Sequence, residues 1–119
     1  MKKISATILD FASPITDTLD ADASIELRRD TLSIAIVLWN SRVLQACGQG
    51  EYLADLVARF RKMPPQRSAV MAALVQAMIL KRHALYANDL RLVGEWELRD
   101  LGDGEVSLRA VAHAAPEKK

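Results

Sequence analysis

The sequence predicts an α+β domain that is mainly α: four helices followed by a C-terminal antiparallel β-hairpin. Three observations predict it. Apolar residues recur at spacings of three and four from Ile4 to Leu85. From Leu90 the period shortens to two. Two alternating stretches then flank Leu101-Gly-Asp-Gly104, a segment with the residue chemistry of a hairpin turn. Helices and strands are thus segregated along the chain, as in an α+β fold.

The first element rests on Ile4, Ile8, Phe11, Ile15 and Leu19, which share one helical face. Pro14 falls inside it. A proline removes one backbone hydrogen bond and crowds the carbonyl four residues earlier. It admits either one helix running through it, over about 3–19, or a fresh start with Ser13 as N-cap. The stripe keeps its phase through Pro14, which favours the continuous helix. Asp10 and Asp17 share a face of it and are expected to meet water.

A polar connection leads to Ser24, a suitable N-cap, with Glu26 placed to meet the helix dipole. The second helix should span about 25–47 and end at Gly48. Leu32, Ile36, Trp39, Val43 and Cys47 form one stripe, and Ile34, Val37, Leu38 and Leu44 cover much of the rest. A helix apolar on most sides is buried, so this one is expected at the centre. Tyr52, Leu53, Leu56, Val57, Phe60 and Met63 suggest a short third helix over about 51–63, stopped by Pro64-Pro65. Val70, Met71, Leu74, Val75, Met78, Ile79 and Leu85 give a fourth, over about 66–87.

In the hairpin, Leu92, Gly94, Trp96 and Leu98 occupy one side and Glu95, Glu97 and Arg99 the other. Trp96 should therefore lie against the helices and the glutamates in water. Asp103-Gly104 is expected to supply the turn, and Val106, Leu108, Ala110 and Ala112 the returning strand. The chain reads as one domain over 1–113, with the hairpin at about 90–113 and a polar tail at 114–119.

Composition sets limits on function. The chain has 119 residues, 50% hydrophobic, 26% charged and only 5% aromatic, with a net charge of +1. That is the balance of a globular protein with an aliphatic core, not of a disordered chain. Cys47 is the single cysteine, so no internal disulfide can form. The apolar run Ile34–Trp39 is far too short to span a bilayer. Asp10, Pro14 and Asp17 interrupt the stretch that a secretory leader would need. The expected setting is cytoplasmic, with no membrane partner.

Catalytic and metal motifs are weak throughout. Cys47 has no histidine in a cysteine-enzyme pattern and reads as a small core residue. His83, His113 and Cys47 lack the short paired spacing of structural zinc sites. Asp20 and Asp22 are not followed by the remaining ligands of a calcium loop. Gly48 and Gly50 lie between helices, out of phosphate-loop register. No catalytic residue, metal or cofactor is expected.

Two features are less bland. Residues 51–91 are basic, and Arg59, Arg61, Lys62 and Arg67 bracket the Pro64-Pro65 corner. They are the candidate contacts for a nucleic acid. Lys81 and Arg82 form a separate group suited to a helix C-terminus. Asn40, Ser41 and Arg42 interrupt the apolar second helix, either facing solvent or, with Trp39, lining the pocket of a small-ligand binder or enzyme. The leading expectation is a non-enzymatic interaction or assembly protein acting as a homo-oligomer, because an aliphatic domain with an open hairpin edge favours self-association.

Overall fold

Five elements follow one another in the computed structural model, which describes residues 3–20, 22–47, 65–102 and 105–114, with backbone alone for 65–68. They are α1 (Ile4–Thr16), α2 (Ile25–Ala46), α3 (Pro65–Leu85), β1 (Arg91–Gly102) and β2 (Glu105–Ala114). The described helices number three where the sequence reading has four. The expected helix at 51–63 lies outside the described residues, as do the Gly48–Gly50 turn and Asp103-Gly104.

α1 runs through Pro14 without restarting at Ser13. It stops at Thr16, three residues short of the expected end. Thr16 and Thr18 donate their hydroxyls to the carbonyls of Ala12 and Ile15, at 3.2 and 2.6 Å. The amides of Thr18 and Leu19 bond three residues back, to Ile15 and Thr16. Such tightened turns and side-chain competition close a helix. The face Ile4, Thr7, Ile8, Phe11, Ala12 and Ile15 is buried.

α2 begins as its sequence dictates. The Ser24 hydroxyl accepts from the Leu27 amide at 3.1 Å, and Glu26 occupies the first turn. Leu32, Ala35, Ile36, Leu38, Trp39, Val43 and Leu44 are buried on it. Thr31 and Ser41, also buried, donate to the carbonyls four residues back, Leu27 and Val37. Polar side chains are thereby satisfied without leaving the helix. The central position, however, is shared. Among the described elements α1 packs against α2, α3 and β2, while α2 packs against α1 and β1.

α3 turns a narrower face inward than its composition suggests. Met78 is fully buried, with Met71, Leu74, Val75 and Ile79 packed around the core. Val70 and Leu85, expected on this face, are exposed, and so is Leu80. Apolar residues cover more than half the circumference of α3, but only the side carrying Met71, Leu74, Val75, Met78 and Ile79 packs on the core.

β1 and β2 form a two-stranded antiparallel sheet. Val93 pairs with Ala112 and Trp96 with Ala110, so Gly94 and Glu95 together oppose Val111. This β-bulge changes the phase of the strand. Val93 rather than Leu92 joins Leu98 on the buried face, the two being 5% and 4% exposed. Strict alternation along β1 therefore misplaced Leu92. Trp96 packs on the core but is half-buried, because α2 anchors β1 at Arg91 and Val93 and Trp96 lies beyond the bulge. Among the described residues Gly102, at the end of β1, has a left-handed backbone, with φ 88°. β2 extends to Ala114, one residue past the expected end.

Candidate functional site

Trp39 lies at the centre of a polar cluster. Its indole is wholly buried, edge-on to Phe11 at 5.2 Å and to Tyr86 at 5.8 Å between ring centroids. Its Nε1 donates to the Arg91 carbonyl at 2.7 Å. The Arg82 guanidinium lies 4.6 Å over the ring, a cation–π contact shielded from water. Asn40, the next residue, completes the joint. Its Nδ2 donates to the Val93 carbonyl at 2.9 Å, and its Oδ1 accepts from the Val93 amide at 2.8 Å. The side-chain amide thus continues the hydrogen-bonding of a strand along the outer edge of β1.

The segment after α3 is tied down by charge. Arg82 donates to the carbonyls of Tyr86 at 2.9 Å and Asp89 at 2.7 Å. Burial lowers the pKa of its guanidinium, Asp89 opposes that shift, and Arg42 adds to it. Asp89 grips Arg91 with both oxygens, at 2.6 Å to Nη2 and 3.0 Å to Nε, and also accepts from the Arg91 amide. Burial pushes the Asp89 carboxyl up, but the hydrogen bonds and charge of Arg91 outweigh it and hold the pKa below the usual value. Arg91 also reaches Thr7 Oγ1 on α1 at 3.2 Å.

A second knot lies one turn away. Asp10 accepts the Tyr86 hydroxyl and forms an ion pair with Lys81 at 3.1 Å. Lys81 also donates to the Asp10 carbonyl at 2.5 Å and to Ser13 Oγ at 2.7 Å. Asp10 meets water in part, as its sequence suggests, but is also partnered by Tyr86 and Lys81. Burial first, then the hydrogen bond and charge of Asp10, push the Tyr86 phenol up to about 12.

A hollow of about 400 Å³ opens beside these groups, lined by Thr7, Leu85, Tyr86, Asn88, Asp89 and Arg91 among others. Its chemistry is that of a clamp. A phenol titrating near 12 is a poor base at neutral pH. The carboxylate at its edge is already chelated by arginine. The network fastens the segment after α3, and the start of β1, to α1 and α2.

The candidate ligand pocket is placed differently from its expected residues. A hollow of about 380 Å³ is lined by Val37, Asn40, Ser41, Leu44, Leu92, Val93, Gly94 and His113. Asn40 borders it with its amide engaged by Val93. Trp39 is in the core, and Arg42 donates to Gln45 Oε1 at 2.8 Å. The His113 ring lies so close over Gly94 that a Cβ there would collide with it. Arg59, Arg61 and Lys62 lie outside the described residues, and Arg67 is described only as backbone in α3. Cys47 caps α2 and is half-buried, and His83 and His113 are exposed. Among the described residues no group of three or more His, Cys, Asp or Glu side chains is placed to hold a metal ion.

Sequence reasoning missed Lys81, Arg82, Tyr86, Asp89 and Arg91. The available signal was Pro14, which leaves a carbonyl in need of a donor from elsewhere. The remaining feature is the outer edge of β2. No strand pairs with it among the described residues, and Arg109, Val111 and His113 along it are exposed.

Among the described residues no helix is long and apolar enough to cross a membrane. No protein-family model, no curated protein and no solved structure matches the chain.

Proposed function

We propose that the protein acts as a non-enzymatic interaction and assembly protein whose copies bind one another. The observation that carries this reading is the outer edge of β2, which no strand pairs with among the described residues. A row of unpaired backbone donors and acceptors is a template for another strand, and proteins that remain monomeric usually blunt it. Proline, a common device for blunting an edge, is absent from β2. The polar cluster around Trp39 fits the same reading, because Trp39, Asn40, Asp89 and Arg91 are engaged within the chain and tie down the start of β1.

Sedimentation over a range of micromolar concentrations tests the proposal. The expected result is a species larger than the 13.2 kDa chain, in a proportion that rises with concentration. A single species near 13.2 kDa at every concentration overturns it.

A further inference from the structure

We infer that β2 pairs antiparallel with β2 of a second copy, in the register centred on Ser107, to form a four-stranded sheet across a twofold axis. This rests on the self-association proposed above and goes further by fixing its surface and alignment.

The direction of the free backbone groups follows from Asn40. The amide and carbonyl of Val93 both turn to the Asn40 side chain, away from β2. Val93 and its partner Ala112 are therefore a non-hydrogen-bonded pair, and Ala112 turns its own amide and carbonyl to the opposite edge. Along β2 this alternates, so Val106, Leu108 and Ala110 also present theirs outward. Both register shifts, between Val93 and Trp96 and between Asp100 and Gly102, put the extra residue in β1 and leave the alternation of β2 intact.

Side chains then select the register. A twofold axis normal to the sheet keeps inner faces together. Centred on Ser107, Val106 meets Leu108 of the second copy, and Leu108 meets its Val106. Both are hydrogen-bonded pairs, which yields four backbone hydrogen bonds. Val106 is only half-buried, and this contact would cover its open side. On the outer face, Glu105 falls opposite Arg109 of the second copy, and the symmetric pair repeats the contact. Neither residue is ion-paired among the described residues. Arg109 already lies opposite Glu97 within its own hairpin, so charges alternate in sign across the joined sheet. Centring on Arg109 would oppose two arginines at the axis. Centring on Leu108 would set Glu105 against Val111 and Arg109 against Ser107. Centring on Leu108 would also make six backbone hydrogen bonds against four, but only the Ser107 register pairs Glu105 with Arg109 on both sides of the axis. Opposite charges across strands stabilise and like charges destabilise, and that pairing selects the Ser107 register.

A cysteine at the axis reads this arrangement directly. In a Cys47→Ser background, Ser107→Cys places the two new thiols in a non-hydrogen-bonded pair. The Cα separation there is about 4.5 Å, within disulfide range. Mild oxidation should give a covalent dimer of about 26 kDa, twice the chain mass. Val111→Cys in the same background should remain uncrosslinked. In a second arm, Glu105→Arg or Arg109→Glu alone should weaken dimerisation about tenfold, since each dimer carries the pair twice. The double exchange should recover most but not all of it, because Arg109→Glu also sets a carboxylate opposite Glu97 of the same hairpin. A dimer that persists without Ser107→Cys crosslinking, or that ignores the charge exchange, overturns this register and leaves self-association standing. A monomer at all concentrations overturns both.

Discussion

The ammonium of Lys81 donates to the main-chain carbonyl of Asp10, the acceptor that Pro14 leaves without its helical partner. A proline at this place would ordinarily strand a carbonyl inside the fold. Here a cation from α3 takes the position of the missing amide, and the same contact fixes α3 to α1. Lys81→Met should cost about 1–2 kcal/mol, chiefly through that carbonyl. The accompanying ion pair is partly exposed, at 23% and 38%, and adds little. In a Pro14→Ala background the amide of residue 14 can serve the carbonyl, so the same lysine substitution should cost less. Chemical denaturation of the four proteins in the cycle measures the coupling. Strict additivity would count against the compensation.

Asn40 makes the other decisive joint. Replacing it with leucine keeps similar bulk but leaves the amide and carbonyl of Val93 unpaired at a covered edge. The expected cost is about 2–4 kcal/mol, two stranded groups at roughly 1–2 kcal/mol each. Asn40→Asp keeps the acceptor for the Val93 amide but sets a carboxylate against the Val93 carbonyl. It should be destabilising at neutral pH and partly recover in acid, as the carboxyl regains a donor. Equal stability of the wild type and both variants would show that α2 does not depend on this joint to hold β1.

Much of this architecture is legible in the residues. Ser24 and Glu26 announce the start of α2, the stripe from Ile4 to Ile15 carries α1 through Pro14, and the change to period two marks the hairpin. The bulge is less visible. Gly94 interrupts the strand pattern, but only the pairing with Ala112 and Ala110 shows that an extra residue shifts Val93 inward. The clamp around Trp39 is least visible, because its members come from four elements and none stands at motif spacing from another. Lys81 and Arg82 look like ordinary helix-end cations, and their roles depend on which side of α3 meets α1.

The two tryptophans should behave differently. Trp39 is fully buried, hydrogen-bonded and capped by Arg82, so Trp39→Ala should cost at least about 3–5 kcal/mol and risks loss of folding. Trp96 is half-buried, and Trp96→Ala should cost roughly half of that range. Acrylamide quenching of single-tryptophan variants, Trp39→Phe and Trp96→Phe, checks the order without requiring the alanine variants to fold. Emission from Trp96 should be quenched and that from Trp39 shielded. The reverse order would place the hairpin's faces the wrong way round.

Two groups give stability a dependence on pH at opposite ends of the scale. Asp89 has a folded pKa below its ordinary 3.8. Its contribution is therefore complete above that value and lost as pH falls through the lower folded one. Tyr86 has a folded pKa of about 12, above its ordinary 10.0. For an acid whose neutral form is favoured by folding, the contribution is complete below 10.0 and lost as pH rises towards 12. Denaturation midpoints should thus fall below the ordinary carboxylate range and again in strong alkali. Asp89→Asn should flatten the acid limb and Tyr86→Phe the alkaline one. Spectrophotometric titration supplies an independent check, because the chain has two tyrosines. One phenol should ionise near pH 12 in the native protein, and that transition should vanish in Tyr86→Phe. If Tyr86 ionises near 10, its hydroxyl does not hold the hydrogen bond to Asp10, and the knot between α1 and the end of α3 rests on Lys81 alone.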